Sequence, residues 1–273
     1  MEKTVVITGA SSGIGAALAE RYAKAGWNVV LIARRRDRLE EIAKRCGVKA
    51  KILVADVTQN SFENDLTTFL EKMPGDLFHV YANAGAGAAG RTDKLNIEDY
   101  ERHFAVNVFG VLRTLRGAQS KLKSSKGRFI IIGSLNSYLA FPLGTPYNMG
   151  KFAVRALAES LFAEEPTLGF SCSVVCPGPI ATELLSKNNK GEAVQLGDDF
   201  PKIHALSPAK AADRIFKKVL RGRREIFLSI DSFVLVALHR HFPSFTSRLI
   251  RIGYGLFSAK ALKLVGMVNP DSI

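Results

Sequence analysis

The stretch TGASSGIG, residues 8–15, decides the fold. It follows the short apolar run VVIT (5–8) and leads into the helical pattern GIGAALAERYAKAG (13–26). Its three glycines let the backbone turn sharply and approach a ligand, because no Cβ atom obstructs it. Free N–H groups at the start of the following helix favour a phosphate, so the stretch predicts a dinucleotide-binding turn. The alternative is an ordinary tight connection. The candidate cofactor-binding residues of this turn are Gly9, Ser11, Ser12, Gly13, Ile14 and Gly15.

Outward from this turn, strand and helix patterns alternate along most of the chain. Further strands are predicted at 28–33, 49–56, 76–85, 128–134, 170–179 and 225–229. Helices are predicted between them at 34–47, 63–73, 97–121, 145–165 and 207–220. The strands are continuous apolar runs, which indicates a parallel sheet covered on both faces. The predicted fold class is therefore α/β: a single doubly wound Rossmann-type domain with a parallel seven-stranded sheet.

The pattern divides the chain into a Rossmann-type domain over 1–230 and a C-terminal extension over 231–273. The extension is helical and amphipathic, and it either packs on the domain or extends from it. The stretch 180–206 is long and poorly patterned, with clustered Ser, Lys, Asn and Gly. Long loops in compact domains are usually functional, so we interpret this one as the substrate loop.

Composition and charge narrow the class of protein. The chain has 273 residues, of which 47% are hydrophobic and 23% charged, which fits a globular protein with a sizeable core. Its net charge of +13 favours an anionic partner: a nucleic acid, a lipid surface or a phosphorylated cofactor. The basic residues are spread along the chain and form no recognisable nucleic-acid module, so no nucleic-acid partner is predicted.

The cysteines and the apolar runs bear on compartment and metal content. Cys46, Cys172 and Cys176 have no metal-ligand spacing, so we predict reduced thiols, a cytoplasmic location and no metal site. The first strand begins almost at the amino terminus, and no signal peptide is predicted before it. No run of 18 apolar residues is free of charge, so no spanning helix is predicted.

The end of the second predicted strand bears on which dinucleotide is bound. An NAD site usually has an acidic residue there, to hold the 2′-hydroxyl of the ribose. Here the strand runs into Arg34 and Arg35, and no carboxylate occurs before Asp37. A guanidinium attracts a 2′-phosphate, so we predict NADP and consider NAD the less favoured cofactor. The alternative is a solvated basic start of the next helix.

Seven motifs stand in the order typical of one family. They are TGASSGIG (8–15), Asp56-Val57, NAG (83–85), Asn107, Ser134, the YxxxK pair Tyr147–Lys151, and PGPIAT (177–182). On these residues the chain resembles the short-chain dehydrogenase/reductase family over about residues 3–230.

The resemblance implies a catalytic set of Asn107, Ser134, Tyr147 and Lys151. Tyr147 would be the general acid or base, and Ser134 would hold the substrate oxygen. Lys151 would hydrogen-bond the nicotinamide ribose, and Asn107 would position a water that resupplies the proton. A phenol normally has a pKa near 10. An adjacent ammonium, together with the positive nicotinamide of the oxidised cofactor, lowers it, so we expect the pKa of Tyr147 to be depressed.

The resemblance also implies further cofactor contacts. Asp56 and Val57 would contact the adenine. Asn83, Ala84 and Gly85 would flank the cofactor, although the Asn83 amide is at least as well suited to tying neighbouring strands together. On the nicotinamide side, besides Tyr147 and Lys151, the implied residues are Pro177, Gly178, Ile180 and Thr182.

Three residues near the YxxxK pair leave alternatives open. Tyr138 has Pro142 four residues on, where a lysine would be needed, so it either lines the substrate pocket or packs in the core. Asn148 and Gly150 stand where many family members carry Ser or Ala. Gly150 costs about 1 kcal/mol against Ala in a helix, and it allows close approach of either the cofactor or a neighbouring helix.

The predicted function is an NADP(H)-dependent oxidoreductase that transfers hydride between nicotinamide and a carbonyl or secondary alcohol. Its specificity loops would be Ala86–Arg91, Leu135–Thr145 and Glu183–His204, and the apolar sequence LNSYLAFPLGTP favours a lipid-, steroid- or acyl-like substrate. Alternatives are an NAD-dependent alcohol dehydrogenase and a non-catalytic NADP(H)-sensing protein on the same fold. The resemblance further implies a homodimer or homotetramer.

The C-terminal segment mixes bulky apolar residues with cations. Leu249, Ile252, Leu256 and Phe257 would form one helical stripe, with cations on the other side. Such a helix is typical of peripheral membrane contact, which we place in 231–265. The alternatives are packing on the domain, a subunit interface and a cover over the substrate pocket.

Overall fold

The computed structural model describes residues 2–87, 90–182 and 205–264, with side chains up to 254. The described residues include seven strands: β1 (Lys3–Thr8), β2 (Asn28–Ala33), β3 (Ala50–Val54), β4 (Asp76–Ala82), β5 (Arg128–Ile132), β6 (Ser171–Cys176) and β7 (Glu225–Phe227). They also include nine α-helices: α1 (Gly13–Lys24), α2 (Arg36–Cys46), α3 (Phe62–Glu71), α4 (Ile97–Phe104), α5 (Gly110–Ser124), α6 (Thr145–Leu168), α7 (Pro208–Leu220), α8 (Ile230–His241) and α9 (Pro243–Leu264).

The strands form one sheet in the order β3-β2-β1-β4-β5-β6-β7. Every neighbouring pair is parallel, which confirms the predicted doubly wound α/β fold. The strand order reverses between β1 and β4, and ligands of such sheets bind at the carboxyl edge of this switch point. The segments after β1, β4, β5 and β6 therefore define where a site should lie.

Two hydrophobic cores cover the two faces of the sheet. On one face α3, α5 and α6 contribute Leu66, Leu115 and Val154, all buried. On the other face α1, α2 and α7 pack through side chains such as Leu18 and Ile215. Burial on both sides explains why the strands read as continuous apolar runs.

The predicted helix over 97–121 is interrupted by a π-helical turn. Helix α4 begins with a capping box, in which Asn96 and Asp99 each accept the other's backbone N–H. It ends at Phe104, and a π-helical turn spans Ala105–Phe109 before α5 begins. Single π turns inside α-helices are frequent at functional sites, and this one contains Asn107.

Helix α6 begins at Thr145, as predicted, and extends to Leu168, beyond the predicted end at 165. Thr145 is already helical, and Gly144 is the capping residue, with Pro146 in the first turn. A Cβ atom at Gly150 would lie 3.3 Å from Cβ of Asn107. Gly150 therefore serves close approach of a neighbouring helical segment, which was one of the two readings left open.

The C-terminal helices pack against the end of the sheet. Ser232 and Val236 of α8 are buried, and the Phe233 ring lies 5.7 Å from the ring of Phe227 on β7. In α9, Thr246 is buried, and its hydroxyl lies 2.6 Å from Nδ1 of His239 on α8. No helix within 2–87, 90–182 and 205–264 combines the length and apolarity needed to cross a bilayer.

Candidate active site

Three of the predicted catalytic side chains lie at the carboxyl end of β5. Ser134 follows that strand, and Tyr147 and Lys151 occupy the first turns of α6. Lys151 is buried, and its ammonium donates a hydrogen bond of 2.7 Å to the Ile132 carbonyl. Its Nζ lies 5.5 Å from the centroid of the Tyr147 ring. The four-residue spacing thus places both side chains on one helix face, as predicted.

Burial controls the protonation of both groups. It lowers the pKa of Lys151 from 10.5 to about 8, because removal from water disfavours the ammonium. It raises the pKa of Tyr147, and a hydrogen bond with Ser134 partly counteracts that rise. The sequence predicted a depressed pKa for Tyr147 beside both an ammonium and a bound, oxidised nicotinamide, whereas in the chain without cofactor the pKa is raised. The physical reason is that desolvation outweighs the other influences on the phenol.

A chain of hydrogen bonds supports Ser134 from α6. The Asn136 backbone N–H donates to Ser134 Oγ at 3.1 Å, and Ser134 Oγ donates to Asn136 Oδ1 at 3.2 Å. The Asn136 amide then donates to Asn148 Oδ1 at 2.5 Å, and Asn148 donates to the Phe141 carbonyl at 2.7 Å. Sequence reasoning noticed Asn148 but missed Asn136, since a pair 12 residues apart leaves no periodic signal.

Asn107 forms hydrogen bonds with the backbone of Ala86 through both polar atoms of its side-chain amide. Its Oδ1 accepts the Ala86 N–H at 3.0 Å, and its Nδ2 donates to the Ala86 carbonyl at 2.9 Å. A Cβ at Gly85 would lie 3.1 Å from Asn107 Oδ1 and 4.0 Å from Lys151 Nζ. The loop after β4 is therefore bonded to Asn107 and lies close to Lys151, which places Asn107 near the Tyr147–Lys151 pair.

The glycine turn packs directly against that loop. Gly9 has a φ of +66°, and a Cβ there would lie 2.8 Å from Cα of Ala84. Asn83 donates from its amide to the Thr8 carbonyl at 2.8 Å and to the Gly9 carbonyl at 3.3 Å. A Cβ at Gly15 would lie 2.5 Å from Asn83 Nδ2. Asn83 thus ties β4 to the turn after β1, which favours its structural interpretation.

The start of α1 has the features of a phosphate site. Within the described residues, the Ser12 side chain makes no capping hydrogen bond to the first helical turn. That turn contains no acidic residue. Its free backbone N–H groups and the positive end of the helix dipole favour an anion at this terminus. Thr182 lies across the turn, with Cγ2 3.1 Å from where a Cβ at Gly13 would stand. These residues fit the pyrophosphate of a dinucleotide.

Two arginines lie at the carboxyl end of β2, beside this turn. Arg35 donates to Ser11 Oγ at 3.2 Å, and Arg34 forms an ion pair of 3.5 Å with Asp56. Asp56 Oδ1 also accepts the N–H and the hydroxyl of Thr58, each at 2.9 Å. The neighbouring Val57 is buried, and a Cβ at Gly110 would lie 2.8 Å from it. Val57 is therefore partly a packing residue.

The segment after β6 closes the other side of the site. The Pro177 carbonyl accepts the Leu135 N–H at 2.9 Å. A Cβ at Gly178 would lie 2.8 Å from Ser232 Oγ, so α8 leaves no room for a side chain there. Ile180 is buried and pairs with Leu206 in an isolated bridge. Most of the predicted substrate loop, residues 183–204, lies outside the described residues, as do residues 88–89 of another specificity loop.

Tyr138 lies outside this constellation, among charged side chains. Its hydroxyl donates to Glu225 Oε1 at 2.6 Å. The guanidinium carbons of Arg155 and Arg240 lie 4.1 Å and 4.9 Å from its ring centroid. Burial is the main cause that raises the pKa of Tyr138. Of the two alternatives left open, the structure favours packing in the core.

Comparison with known proteins agrees with this architecture. The family model described as short chain dehydrogenase matches residues 3–193. An 11-beta-hydroxysteroid dehydrogenase A from Sesamum indicum is 32% identical over 82% of this chain and 67% of its own length. An alcohol dehydrogenase from the archaeon Thermococcus sibiricus, solved with 5-hydroxy-NADP, is 31% identical with a TM-score of 0.72, covering 83% of this chain and 96% of that one.

A second solved structure shows the fold at lower identity. The short chain dehydrogenase/reductase from Burkholderia phymatum, in complex with NAD, has a TM-score of 0.78 at 23% identity and covers 89% of this chain and 95% of that one. The family match spans well over half of the sequence. The chain belongs to the short-chain dehydrogenase/reductase family, whose members are oxidoreductases that use a nicotinamide cofactor.

Proposed function

We propose that this protein is an NADP(H)-dependent oxidoreductase acting on an apolar carbonyl compound or the corresponding secondary alcohol. The observation that carries the proposal is the meeting of Tyr147, Lys151 and Ser134 beside the glycine turn. A phenol there has a neutral hydroxyl partner, a nearby ammonium and access to the carboxyl edge of the sheet. These are the requirements of a proton donor for a carbonyl oxygen.

Each side chain has a distinct task in the proposed reaction. Bound nicotinamide would supply the hydride in reduction and accept it in oxidation. Tyr147 would donate its phenolic proton to the substrate oxygen, or remove it in the reverse direction. Ser134 would hold that oxygen through its hydroxyl, whose orientation Asn136 controls. Lys151, anchored on the Ile132 carbonyl, would orient the ribose and keep positive charge beside the phenol.

Asn107 would support the same reaction from the π-helical turn between α4 and α5. Its amide holds the loop after β4 through both polar atoms of the Ala86 backbone. The π-helical turn around it shifts the helical hydrogen-bonding register at this point. We expect this turn to position the water that returns a proton to Tyr147.

The preference for NADP rests on the two arginines at the end of β2. Arg35 already lies within hydrogen-bonding distance of Ser11 in the glycine turn, where a 2′-phosphate would add charge-assisted hydrogen bonds. Kinetics with NADPH and NADH will test this directly. We expect Arg35→Ala to raise the KM for NADPH about tenfold or more and to leave the KM for NADH nearly unchanged. A wild-type preference for NADH would contradict the proposed cofactor.

The apolar substrate class rests on the segment between Ser134 and Thr145. Leu135 and Leu139 of this segment pack in the core, whereas Leu143 lines a cavity at the start of α6. The sesame relative is named for a steroid substrate, which agrees with an apolar ligand. The experiment is to follow NADPH absorbance with a panel of apolar ketones and their alcohols. Polar sugars should react far more slowly, and turnover of sugars alone would contradict the substrate class.

We further propose that the chain forms a homodimer or homotetramer through α5 and α6. Phe109, Met149 and Phe152 are large apolar side chains exposed near these helices. Light scattering on the purified chain should give at least twice the monomer mass. A Phe152→Glu variant should shift that mass toward the monomer, and an unchanged mass would move the interface elsewhere.

A further inference from the structure

The outer surface of α8 and α9 is rich in exposed hydrophobic side chains. Seven of them, between 48% and 82% exposed, form what we call the C-terminal apolar surface: Ile230, Phe233, Val234, Phe242, Phe245, Leu249 and Ile252. Isolated surface hydrophobics need no explanation, but several grouped on two consecutive helices point to an interaction site. The question is what covers this surface.

Helix α9 shows that the exposed stripe is distinct from the stripe that packs on the protein. Phe245, Leu249 and Ile252 follow one another at helical spacing and form one exposed line. Thr246 is buried and Ile250 packs against the core, so a neighbouring line of the same helix contacts the domain. Packing on the protein therefore leaves the exposed line without an apolar partner among the described residues.

Positive charge accompanies the C-terminal apolar surface. Arg248 and Arg251 lie beside the exposed line of α9, and both are exposed. From residue 232 to residue 270 the sequence contains no Asp or Glu. Over the same stretch it carries the cations Arg240, Arg248, Arg251, Lys260 and Lys263. The whole segment is thus apolar and cationic.

We infer that α8 and α9 form a peripheral docking surface for a lipid bilayer with anionic headgroups. A helix that combines an apolar stripe with flanking cations lies in the plane of the membrane interface. Phe245, Leu249 and Ile252 would enter the boundary between headgroups and acyl chains. Arg248 and Arg251 would contact the phosphate groups, which a negatively charged leaflet supplies in excess.

A second copy of the chain is a less suitable occupant. A two-fold interface brings the same patch of both copies together, so Arg248 and Arg251 of one copy would approach those of the other. Like charges at an interface destabilise association, and the net charge of +13 adds to the repulsion. An anionic bilayer instead offers complementary charge.

The same helix also reaches a cavity beside the active site. Tyr254 of α9 lines a cavity of about 610 Å³ together with Arg91, Leu143 and Thr145. Thr145 begins α6, two residues before Tyr147. If the proposed function holds, a bilayer-dissolved substrate would meet this cavity close to the docked helix. The docking itself does not depend on that function.

Co-sedimentation of the full chain with vesicles tests the inference. Phosphatidylcholine vesicles are compared with vesicles that also contain phosphatidylserine, at low and high salt. We expect the wild type to pellet mainly with the anionic vesicles and to be partly released by salt.

Two sets of variants separate the apolar from the ionic contribution. The triple variant Phe245→Gln, Leu249→Gln, Ile252→Gln should lower partitioning about a hundredfold, because three apolar side chains no longer leave water. Arg248→Gln with Arg251→Gln should lower it about tenfold to thirtyfold on anionic vesicles only.

Matched controls change residues elsewhere that are as exposed or more exposed. Val48→Gln, Ile97→Gln and Leu220→Gln together control for lost surface hydrophobicity. Lys24→Gln with Lys44→Gln controls for lost charge. Both control sets should pellet like the wild type, and circular dichroism with thermal melting should show that every variant is folded.

Three outcomes would overturn the inference. The first is a wild type that stays in the supernatant with anionic vesicles. The second is a triple variant that pellets as well as the wild type or its control. The third is a wild type that does not pellet, together with a triple variant whose oligomer mass is lower than that of the wild type. That result would assign the surface to a second copy. Pelleting requires no turnover, so these outcomes are independent of the proposed reaction.

Discussion

Two tyrosines nine residues apart occupy opposite kinds of environment. Tyr138 gives its hydroxyl hydrogen to the carboxylate of Glu225 and lies between two guanidinium groups. Tyr147 has the neutral hydroxyl of Ser134 as its partner, with the Lys151 ammonium over its ring. Burial raises the pKa of both phenols, so acidity alone does not separate them.

The difference between them lies in what each proton can reach. The Tyr138 proton is already committed to an anion at the end of the sheet beside β7 and α8. Tyr147 lies beside Lys151, which is close to the loop after β4, at the carboxyl edge of the sheet where a substrate oxygen can approach. A catalytic phenol therefore needs an uncommitted proton and a place at the carboxyl edge, in addition to a neighbouring cation.

The largest expected effect comes from removing the Tyr147 hydroxyl. Tyr147→Phe should lower kcat about 10²–10⁴-fold, because the positioned proton donor is lost. Cofactor affinity, measured by NADPH fluorescence titration, should stay within about threefold, since the ring still packs. A kcat within tenfold of the wild type would remove Tyr147 from the proposed mechanism.

Lys151→Met tests the other member of the pair in two ways. Turnover should fall about a hundredfold, because the cofactor ribose loses the group that orients it and the Tyr147 phenol loses the positive charge beside it. Stability without cofactor should rise near neutral pH by about 1–2 kcal/mol, because the cost of burying the ammonium, about 1.4 kcal/mol per unit of its lowered pKa, outweighs the lost hydrogen bond to the Ile132 carbonyl. Unfolding by urea at neutral pH measures the change, and a destabilised variant would contradict the assigned cost.

The pH dependence of the wild type provides an independent check on Lys151. Its pKa is about 8 when folded, below the ordinary value of 10.5. Between these values Lys151 binds more protons in the unfolded chain than in the folded one, so this residue makes the free energy of unfolding rise with pH. The buried thiols of Cys172 and Cys176, whose pKa values burial raises, contribute in the opposite direction. The free energy of unfolding of the wild type minus that of Lys151→Met should therefore rise over this pH range, and a constant difference would contradict the lowered pKa of Lys151.

Asn148→Ala should have an intermediate effect on turnover. It breaks the link from α6 through Asn136 to Ser134, so the Ser134 hydroxyl loses its fixed orientation. We expect kcat/KM to fall about tenfold while NADPH affinity is unchanged. Asn28→Ala, at an exposed amide far from the site, is the control. Equal kinetics in the two variants would leave Asn136 without a positioning role.

The smallest effect on turnover should come from Tyr138→Phe, which completes the comparison. Its kcat should stay within about threefold of the wild type. Its free energy of unfolding should fall by about 1–2 kcal/mol, because Glu225 loses a hydrogen bond but keeps Arg240. Urea unfolding measures this loss, and a large fall in kcat would mean that the two tyrosines act together.

Much of this architecture could be predicted from the sequence, because continuous apolar runs report burial on both faces of the sheet. The seven strands and their parallel arrangement were predicted, and the sheet confirms them. The predicted ends of the strands were less accurate where a side chain bonds to the backbone and ends the strand. The fifth strand was predicted to reach Ser134, but β5 ends at Ile132, and Ser134 begins a short turn capped by its own hydroxyl.

Features that depend on distant partners could not be predicted. The partner of Tyr138 on β7 is 87 residues away, so no local pattern identifies it. The π-helical turn at Ala105–Phe109 keeps an apolar spacing close to that of an α-helix, so the helix appeared continuous in sequence. The raised pKa of Tyr147 without cofactor was not predicted, because desolvation depends on packing that only the folded chain shows.

The most direct test of the central claim is a crystal structure of the protein with NADPH bound. The account predicts the pyrophosphate at the start of α1 and the nicotinamide beside Tyr147 and Lys151, with Tyr138 still bonded to Glu225. A cofactor bound elsewhere, or a Tyr147 hydroxyl turned away from the nicotinamide, would contradict it.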